Sequence, residues 1–368
     1  MSFSVGIVGL PNVGKSTTFN ALLKRKQAAA SNFPFCTIDP NVGVVNVPDE
    51  RLKQLAQVSR SKKIVPTAIE FIDIAGLVAD AHKGEGLGNK FLSHIREVDA
   101  IVEVVRAFQN PEIIHVAGKI SPADDIATVN LELIMADLQT VAKRLSKVTS
   151  DAKSVDPKSS DGAGKALLAE KQVLEKIKQA LEREQAAREL QLSEEETALV
   201  KSLSLLTAKP LLYVLNIDDK IKDNPAILRD RLPGNTTSIM INAQLESEIA
   251  ELPEEEQENY KKELGVTETG LDKLIKASYQ LLNLITFLTS GEPETRAWTV
   301  RQGALAPEAA GVIHTDFIKG FVRAEVINWQ NFVAAGGWSK AKEKGLVRTE
   351  GKEYKVKDGD VCYFLINK

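Results

Sequence analysis

Short apolar runs separated by polar stretches dominate the first 250 residues of the chain. Ser4-Val5-Gly6-Ile7-Val8, Val42 to Val47, Thr67 to Ile72, Ala100 to Val105, Lys209 to Asn216 and Thr237 to Ile241 each read as a strand. Such near-continuous apolar runs belong to a mostly parallel sheet with helices on its faces. About a hundred residues part the strand ending near Val105 from the one at Leu211, far more than a single crossover helix needs. Within them Leu131, Met135, Leu138, Val141, Leu145 and Val148 recur at spacings of three or four and predict an amphipathic helix. Ser150 to Gly164 is a polar break, and Leu167, Leu174, Ile177 and Leu181 then mark a second helix with a near-heptad seam. Two such helices folding back make an antiparallel hairpin, and Ser193-Glu194-Glu195-Glu196 opens a further helix with a capping box.

From about Leu281 the texture changes. Leu284 to Leu288, Ala297 to Val300, Arg323 to Ile327 and Val361 to Ile366 read as strands among glycine and proline turns, with short helices near Asn331 and Ser339. The expected class is therefore α/β with a small α+β domain at the end. The expected division is a nucleotide domain over 1–127 and 208–280, a helical insertion over 128–207 and a carboxyl-terminal domain over 281–368.

Composition narrows the classes. A net charge of −3 excludes a global nucleic-acid coat, so any RNA contact needs a local patch. Lys340, Lys342, Lys344, Arg348, Lys352, Lys355 and Lys357 make one candidate, with a solvated charged surface as the alternative because acidic residues interrupt them. Two cysteines, Cys36 and Cys362, and four histidines are too few and too scattered for a disulfide framework or a zinc site. No leader and no apolar stretch of about twenty residues is evident, so a cytosolic location without membrane contact is expected. No internal repeat asks for a partner copy, and a monomer is expected.

Chemistry enters at Gly9-Leu10-Pro11-Asn12-Val13-Gly14-Lys15-Ser16-Thr17, which fits the phosphate-binding pattern G-x-x-x-x-G-K-[ST] between a strand and a helix. Backbone N–H groups of residues 12–17 would face phosphates, Lys15 would meet the outer ones, and the Ser16 hydroxyl would ligate Mg²⁺. Thr37 stands where a nucleotide switch places a second metal-linked hydroxyl. Asp73-Ile74-Ala75-Gly76 forms D-x-x-G, its acid reaching the metal through water and its glycine sensing the terminal phosphate. Leu77 follows, where many relatives of this architecture carry a water-orienting glutamine, and leucine cannot replace it. His82 and His115 are the nearby histidines. Asn12 is open to two readings, a K⁺ ligand beside the phosphates or a residue tolerating an unusual turn. Asn216-Ile217-Asp218-Asp219 sits at a strand end where N-K-x-D would read a guanine, with Asn216 and Asp219 as the base-reading side chains and Ile217 replacing the lysine. Ala243 falls where a backbone contact to the base is expected.

These stretches, with Asn32-Phe33-Pro34-Phe35-Cys36-Thr37-Ile38, Lys83-Gly84-Glu85-Gly86-Leu87-Gly88-Asn89, Ala297-Trp298-Thr299-Val300 and Gly320-Phe321-Val322-Arg323-Ala324-Glu325-Val326, resemble the YchF / Obg-like ATPase family over essentially the whole chain. The resemblance implies a P-loop nucleotide domain, a coiled-coil insertion and a ubiquitin-like TGS domain at the end. It further implies a cytosolic, ribosome-associated NTPase that often prefers ATP. It carries a hydrolytic histidine onto His115 and not onto His82. The family's base-reading motif ends in glutamate, where this chain has Asp219, which leaves GTP open as a substrate. Two readings follow: an enzyme hydrolysing ATP or GTP, or a nucleotide-gated ribosome adaptor whose hydrolysis is incidental.

Overall fold

A computed structural model describes residues 3–29, 41–74, 87–154, 162–219, 237–263 and 268–367. Its strands are β1 (Ser4–Val8), β2 (Val42–Asn46), β3 (Ile64–Val65), β4 (Ala68–Asp73), β5 (Ala100–Arg106), β6 (Leu211–Asn216), β7 (Ser238–Ile241), β8 (Leu284–Ser290), β9 (Thr295–Arg301), β10 (Phe321–Asn328), β11 (Arg348–Glu350) and β12 (Asp360–Ile366). The helices begin with α1 (Lys15–Ala29), α2 (Arg51–Ser59), α3 (Leu87–Glu97), α4 (Pro122–Ser154), α5 (Gly162–Leu181), α6 (Glu194–Leu203) and α7 (Ala243–Glu251). They continue with α8 (Glu254–Glu263), α9 (Gly270–Leu281), α10 (Ala306–Ile313), α11 (Asp316–Gly320), α12 (Trp329–Ala335) and α13 (Trp338–Glu343). Packing divides the chain into two units, one of Phe3–Ala21 with Phe71–Ile249, the other built from Leu22–Glu70 with Ala250–Lys368.

The first unit is α/β. Its strands stand in the order β4, β1, β5, β6, β7. β1/β5, β5/β6 and β6/β7 pair in parallel, with Ile7 opposite Val102, Val102 opposite Leu212 and Leu215 opposite Met240. Every residue of β5 and β6 is buried, which is why both are mainly apolar, Glu103 and Arg106 in β5 and Asn216 in β6 being buried polar exceptions. Phe91, Leu92 and Ile95 of α3 and Ile126, Val129 and Leu133 of α4 share a core with Ile101, Val105 and Leu215.

Between β5 and β6, α4 and α5 form the expected hairpin, welded by Ile134, Val141, Val148, Leu174, Ile177 and Leu181. The predicted stripe needs one correction. Leu131 is 41% and Met135 37% exposed, because the start of α4 packs on the sheet through Ile126, Val129 and Leu133 and only its later turns face α5. A helix that serves two partners in succession carries a face that drifts. The base of the hairpin is fixed by the buried Asp137 carboxylate, which accepts from Leu206 N (2.9 Å), Thr207 N (2.8 Å) and Thr207 Oγ1 (2.6 Å). Asn130 donates to the Tyr213 hydroxyl at 3.0 Å and accepts from Arg188 Nη2 at 3.0 Å. The Ser193 capping box at the start of α6 is present in both directions.

Glu103 of β5 lies beneath that network. It is 1% exposed, its Oε2 has no hydrogen-bond partner among the described residues, and burial pushes its carboxyl well above the ordinary glutamate range, Arg188 opposing and Asp125 reinforcing the shift. A folded pKa raised above the unfolded one makes this acid a drain on stability that grows as pH rises past the unfolded value near 4.3. Glu103→Gln is therefore expected to leave stability nearly unchanged at pH 4 and to raise it by about 1–2 kcal/mol at pH 8, read from denaturant midpoints at the two pH values. An equal effect at both would show that the carboxyl keeps its ordinary range.

The second unit holds a mixed sheet, ordered β11, β10, β12, β8, β9, β3. β8/β9, β10/β12 and β10/β11 are antiparallel, whereas β12/β8 and β3/β9 are parallel. Leu52 and Leu55 of α2, a stretch whose sequence reads only as polar, share a core with Leu288, Ile327, Phe332 and Val361. Arg51 ties the same helix down, pairing with Asp49 at 2.8 Å and Asp358 at 2.6 Å. β2 lies hydrogen-bonded alongside β4, with Val47 N donating to Thr67 O at 2.9 Å. Among the described residues no helix is long and apolar enough to cross a membrane.

Candidate functional site

The site grows from the end of β1. The chain leaves the strand at Val8, turns through Gly9 to Gly14 and enters α1 at Lys15, so the helix N-terminus opens at the carboxyl edge of the sheet, where α/β proteins bind ligands. Gly14 has φ +94°, and a Cβ there would lie 2.1 Å from Asn216 Nδ2. Thr18, buried at the first turn, returns its hydroxyl to Gly14 O at 3.0 Å.

Beside this loop lies an open cleft of about 890 Å³, lined by the phosphate loop, Phe108 to Asn110, Ile113, Asn216 to Asp219 and Asn242 to Leu245. Asn12, Gly14, Lys15, Ser16, Thr17, Asn216, Ile217, Asp219 and Ala243 all line it, while Val13 is buried behind. Ser16 and Thr17 are exposed to it. Lys15 Nζ forms an ion pair with Asp73 Oδ1 at the end of β4, which brings the two predicted phosphate and metal groups together. Among the described residues no three His, Cys, Asp or Glu side chains converge as a metal cage. A hydroxyl from Ser16 and a carboxylate from Asp73 are hard oxygen donors, few in number, as suits Mg²⁺ held mainly by phosphate and water.

Asn216 is a brace. Its buried amide donates to Val13 O at 2.9 Å and accepts from Ala243 N at 3.0 Å, locking the phosphate loop to the loop before α7. Asn242 accepts from Leu245 N at 3.1 Å as the cap of α7, which turns its Nδ2 toward Asp219 Oδ1 at 3.2 Å. Asp218 accepts from Gln109 N at 3.0 Å. Ile217 is 6% exposed, part of the core rather than a lysine-like arm.

The segment after β5 is the part least visible in the sequence. Arg106, 1% exposed, ends β5 and donates to Ile113 O (2.9 Å), Asn110 O (3.0 Å) and Phe108 O (3.3 Å), with its guanidinium 4.4 Å above the Phe108 ring. Burial lowers its pKa, and Asp125 opposes that shift. Asn12 donates to Ile114 O at 3.2 Å and has a φ of +64°, a turn conformation that asparagine tolerates. His115 does not line the cleft. Its Nε2 meets Asp125 Oδ2 at 3.0 Å and its Nδ1 accepts from Ala117 N at 3.1 Å. Burial raises the Asp125 carboxyl, partly offset by the His115 hydrogen bond. Of the remaining candidates, Cys36, Thr37, Gly76, Leu77 and His82 lie outside the described residues.

Residues 4–145 match the MMR_HSR1 family, described as "50S ribosome-binding GTPase", and residues 284–367 match YchF-GTPase_C, described as "Protein of unknown function". The chain is 54% identical over 374 aligned positions to "Ribosome-binding ATPase YchF" of Bacillus subtilis and 51% identical over 371 to that of Escherichia coli O157:H7, each covering 100% of both chains. The solved structure of the Schizosaccharomyces pombe YchF GTPase superposes with a TM-score of 0.88 at 39% identity, over 99% of this chain and 98% of that one. With its phosphate loop, its α/β sheet and its carboxyl-terminal segment all matched from end to end, the chain belongs to the YchF family of P-loop NTPases.

Proposed function

We propose that this chain hydrolyses ATP with Mg²⁺, accepts GTP as a further substrate, and works on the ribosome in the cytoplasm as a nucleotide switch. One arrangement carries the reading: the Lys15 ammonium and the Asp73 carboxylate meet at the mouth of a phosphate loop whose helix N-terminus faces an open cleft. The ribosome enters through the relatives, which bear the name of ribosome-binding ATPases along their full length.

Each residue has a role that follows from its position. Amides of the loop through Thr17 and the Lys15 ammonium hold the phosphates. When they arrive, Lys15 exchanges Asp73 for a phosphate oxygen, and the carboxylate turns to the metal's water shell. Ser16 supplies a hydroxyl ligand and Thr37 is proposed as the second. Mg²⁺, when bound, neutralises charge on the outer phosphate oxygens. Gly76 is assigned to sensing the terminal phosphate and His115 to the function of the glutamine that Leu77 displaces. Asn216, Ile217, Asp219 and the Ala243 backbone form the base end of the cleft, the shorter carboxylate of Asp219 leaving room for guanine as well as adenine. The hairpin over 128–207 and the domain over 281–368 supply the ribosomal contacts, and the protein acts as a monomer.

Lys15→Ala is the direct test. It is expected to weaken nucleotide binding and to lower turnover by about 10²-fold, the scale on which a lost electrostatic group acts on a transferring phosphoryl. ATP and GTP titrations and phosphate release measure both, and unchanged values would refute the assignment. Co-sedimentation with ribosomes in ATP, ADP and no nucleotide separates a switch from an adaptor, since an adaptor binds alike in all three.

A further inference from the structure

His115 is held in a way that its assigned role does not require. The Ala117 N–H can only donate, so Nδ1 is the unprotonated nitrogen, and the proton sits on Nε2, directed at Asp125 Oδ2. Both ring nitrogens are thereby engaged inside the protein, and the two side chains are each 5% exposed. A ring so placed presents neither a lone pair nor a proton to the cleft.

Its neighbours show the opposite pattern. Ile114 is 79% and Val116 60% exposed, on either side of a buried imidazole. Apolar side chains in solvent flanking a polar one inside invert the ordinary preference, and the exposed pair marks a segment with a second arrangement to gain from. The same segment is tied to the phosphate loop by the Asn12 to Ile114 O bond, so the residue next to His115 already touches the loop that would hold the phosphates. What opposes a change of arrangement is the bond to Asp125, together with the Arg106 clamp on the backbone before it.

Asp125 lies in the first turn of α4, and α4 runs without a break for 33 residues into the hairpin. At 1.5 Å per residue this is a rod of roughly 50 Å. Asn130 and Asp137, further along the same helix, are anchored to Tyr213 and to Leu206 and Thr207. These anchors, with the buried Ile126, Val129 and Leu133, hold the first turns of α4 on the sheet, so Asp125 is a fixed point against which the His115 segment is held.

We propose that Asp125 is a latch on His115: it keeps the imidazole turned inward as the Nε2–H tautomer, and breaking this contact, as when a ribosome engages the protein, releases the ring to the cleft. This rests on the assignment of His115 to hydrolysis. Asp125 acts only through His115 and touches no substrate.

The test compares nucleotide hydrolysis, with and without ribosomes, for the wild type, Asp125→Ala, Asp125→Asn, His115→Ala and the double variant Asp125→Ala/His115→Ala. Loss of a charge-assisted hydrogen bond of this kind shifts an equilibrium by about tenfold or more. Basal turnover of Asp125→Ala is expected to rise about tenfold, its stimulation by ribosomes is expected to shrink by the same factor, and the double variant is expected to fall to the His115→Ala rate. Asp125→Asn, which keeps shape and a weaker acceptor, falls between. Nitrogen shifts of the His115 ring give a readout apart from activity: one protonated Nε2 in slow exchange in the wild type, fast exchange in Asp125→Ala. A wild type that hydrolyses nothing overturns the functional reading and the latch with it. A wild type that hydrolyses, with folded Asp125→Ala and Asp125→Asn no faster or as slow as His115→Ala, overturns the latch alone.

Discussion

Gly14→Ala is expected to weaken MgATP binding by about 10²–10³-fold while the chain still folds. Two costs combine. The left-handed backbone at φ +94° suits glycine and strains any residue with a Cβ. The new methyl would also sit 2.1 Å from Asn216 Nδ2, forcing that amide off Val13 O and Ala243 N. Losing both hydrogen bonds and adding the strain amounts to about 3–4 kcal/mol, and each 1.4 kcal/mol is a factor of ten in affinity. Calorimetric titration with MgATP measures it, with circular dichroism to confirm the fold. Wild-type affinity in a folded Gly14→Ala protein would mean that the Asn216 brace is dispensable to the phosphate loop.

Arg106→Ala carries the largest expected effect on stability. Arg106, itself buried, holds three backbone carbonyls of the loop beside the cleft, and truncation leaves all three without their donor. At about 1 kcal/mol net for each hydrogen bond to a partly buried acceptor, the three together give about 3 kcal/mol. In a unit of this size that lowers the melting temperature by roughly 6–12 °C. Arg106→Lys keeps the charge but cannot span the three acceptors with one planar fork, so it is expected to recover only part of the loss. Because the clamped loop supplies Phe108, Gln109, Asn110 and Ile113 to the cleft, nucleotide affinity should fall with stability. A melting temperature within a degree or two of wild type would show that water replaces the guanidinium.

The parts of this site that were legible in the sequence are the ones written in consecutive residues. Gly9 to Thr17 predict strand, turn and helix because nine adjacent positions specify the turn, and Asn216 announces itself at the end of an apolar strand. What these residues do to one another is a different kind of information. Asn216 braces Val13, and nothing local to either marks a pairing across that much chain. Asp125 reads as an acid in the first turn of a helix, where it would suit the helix dipole in any protein, and its bond to His115 leaves no spacing signature. Arg106 was open to notice: a charged residue closing a mainly apolar strand has to find partners when buried, although the partners it takes are carbonyls of an irregular loop. α2 shows Leu52, Leu55 and Ala56 at helical spacing, but nine residues are too few for that pattern to stand out from a polar stretch. β3, with two residues, carries no period at all.

The brace between Val13 and Asn216 also sets a time order on the chain's birth. The phosphate loop is synthesised before its brace, Asn216 following Val13 by 203 residues and Ala243 later still. At about 5–20 residues per second, roughly 10–40 s pass between Gly14 and Asn216. Throughout that interval a nascent polypeptide displays a complete nucleotide signature and lacks the grip to use it, so cofactor capture is deferred until β6 has slid in beside β5. A truncated product ending before that strand would be a non-binder by construction, and could not compete with finished molecules for ATP.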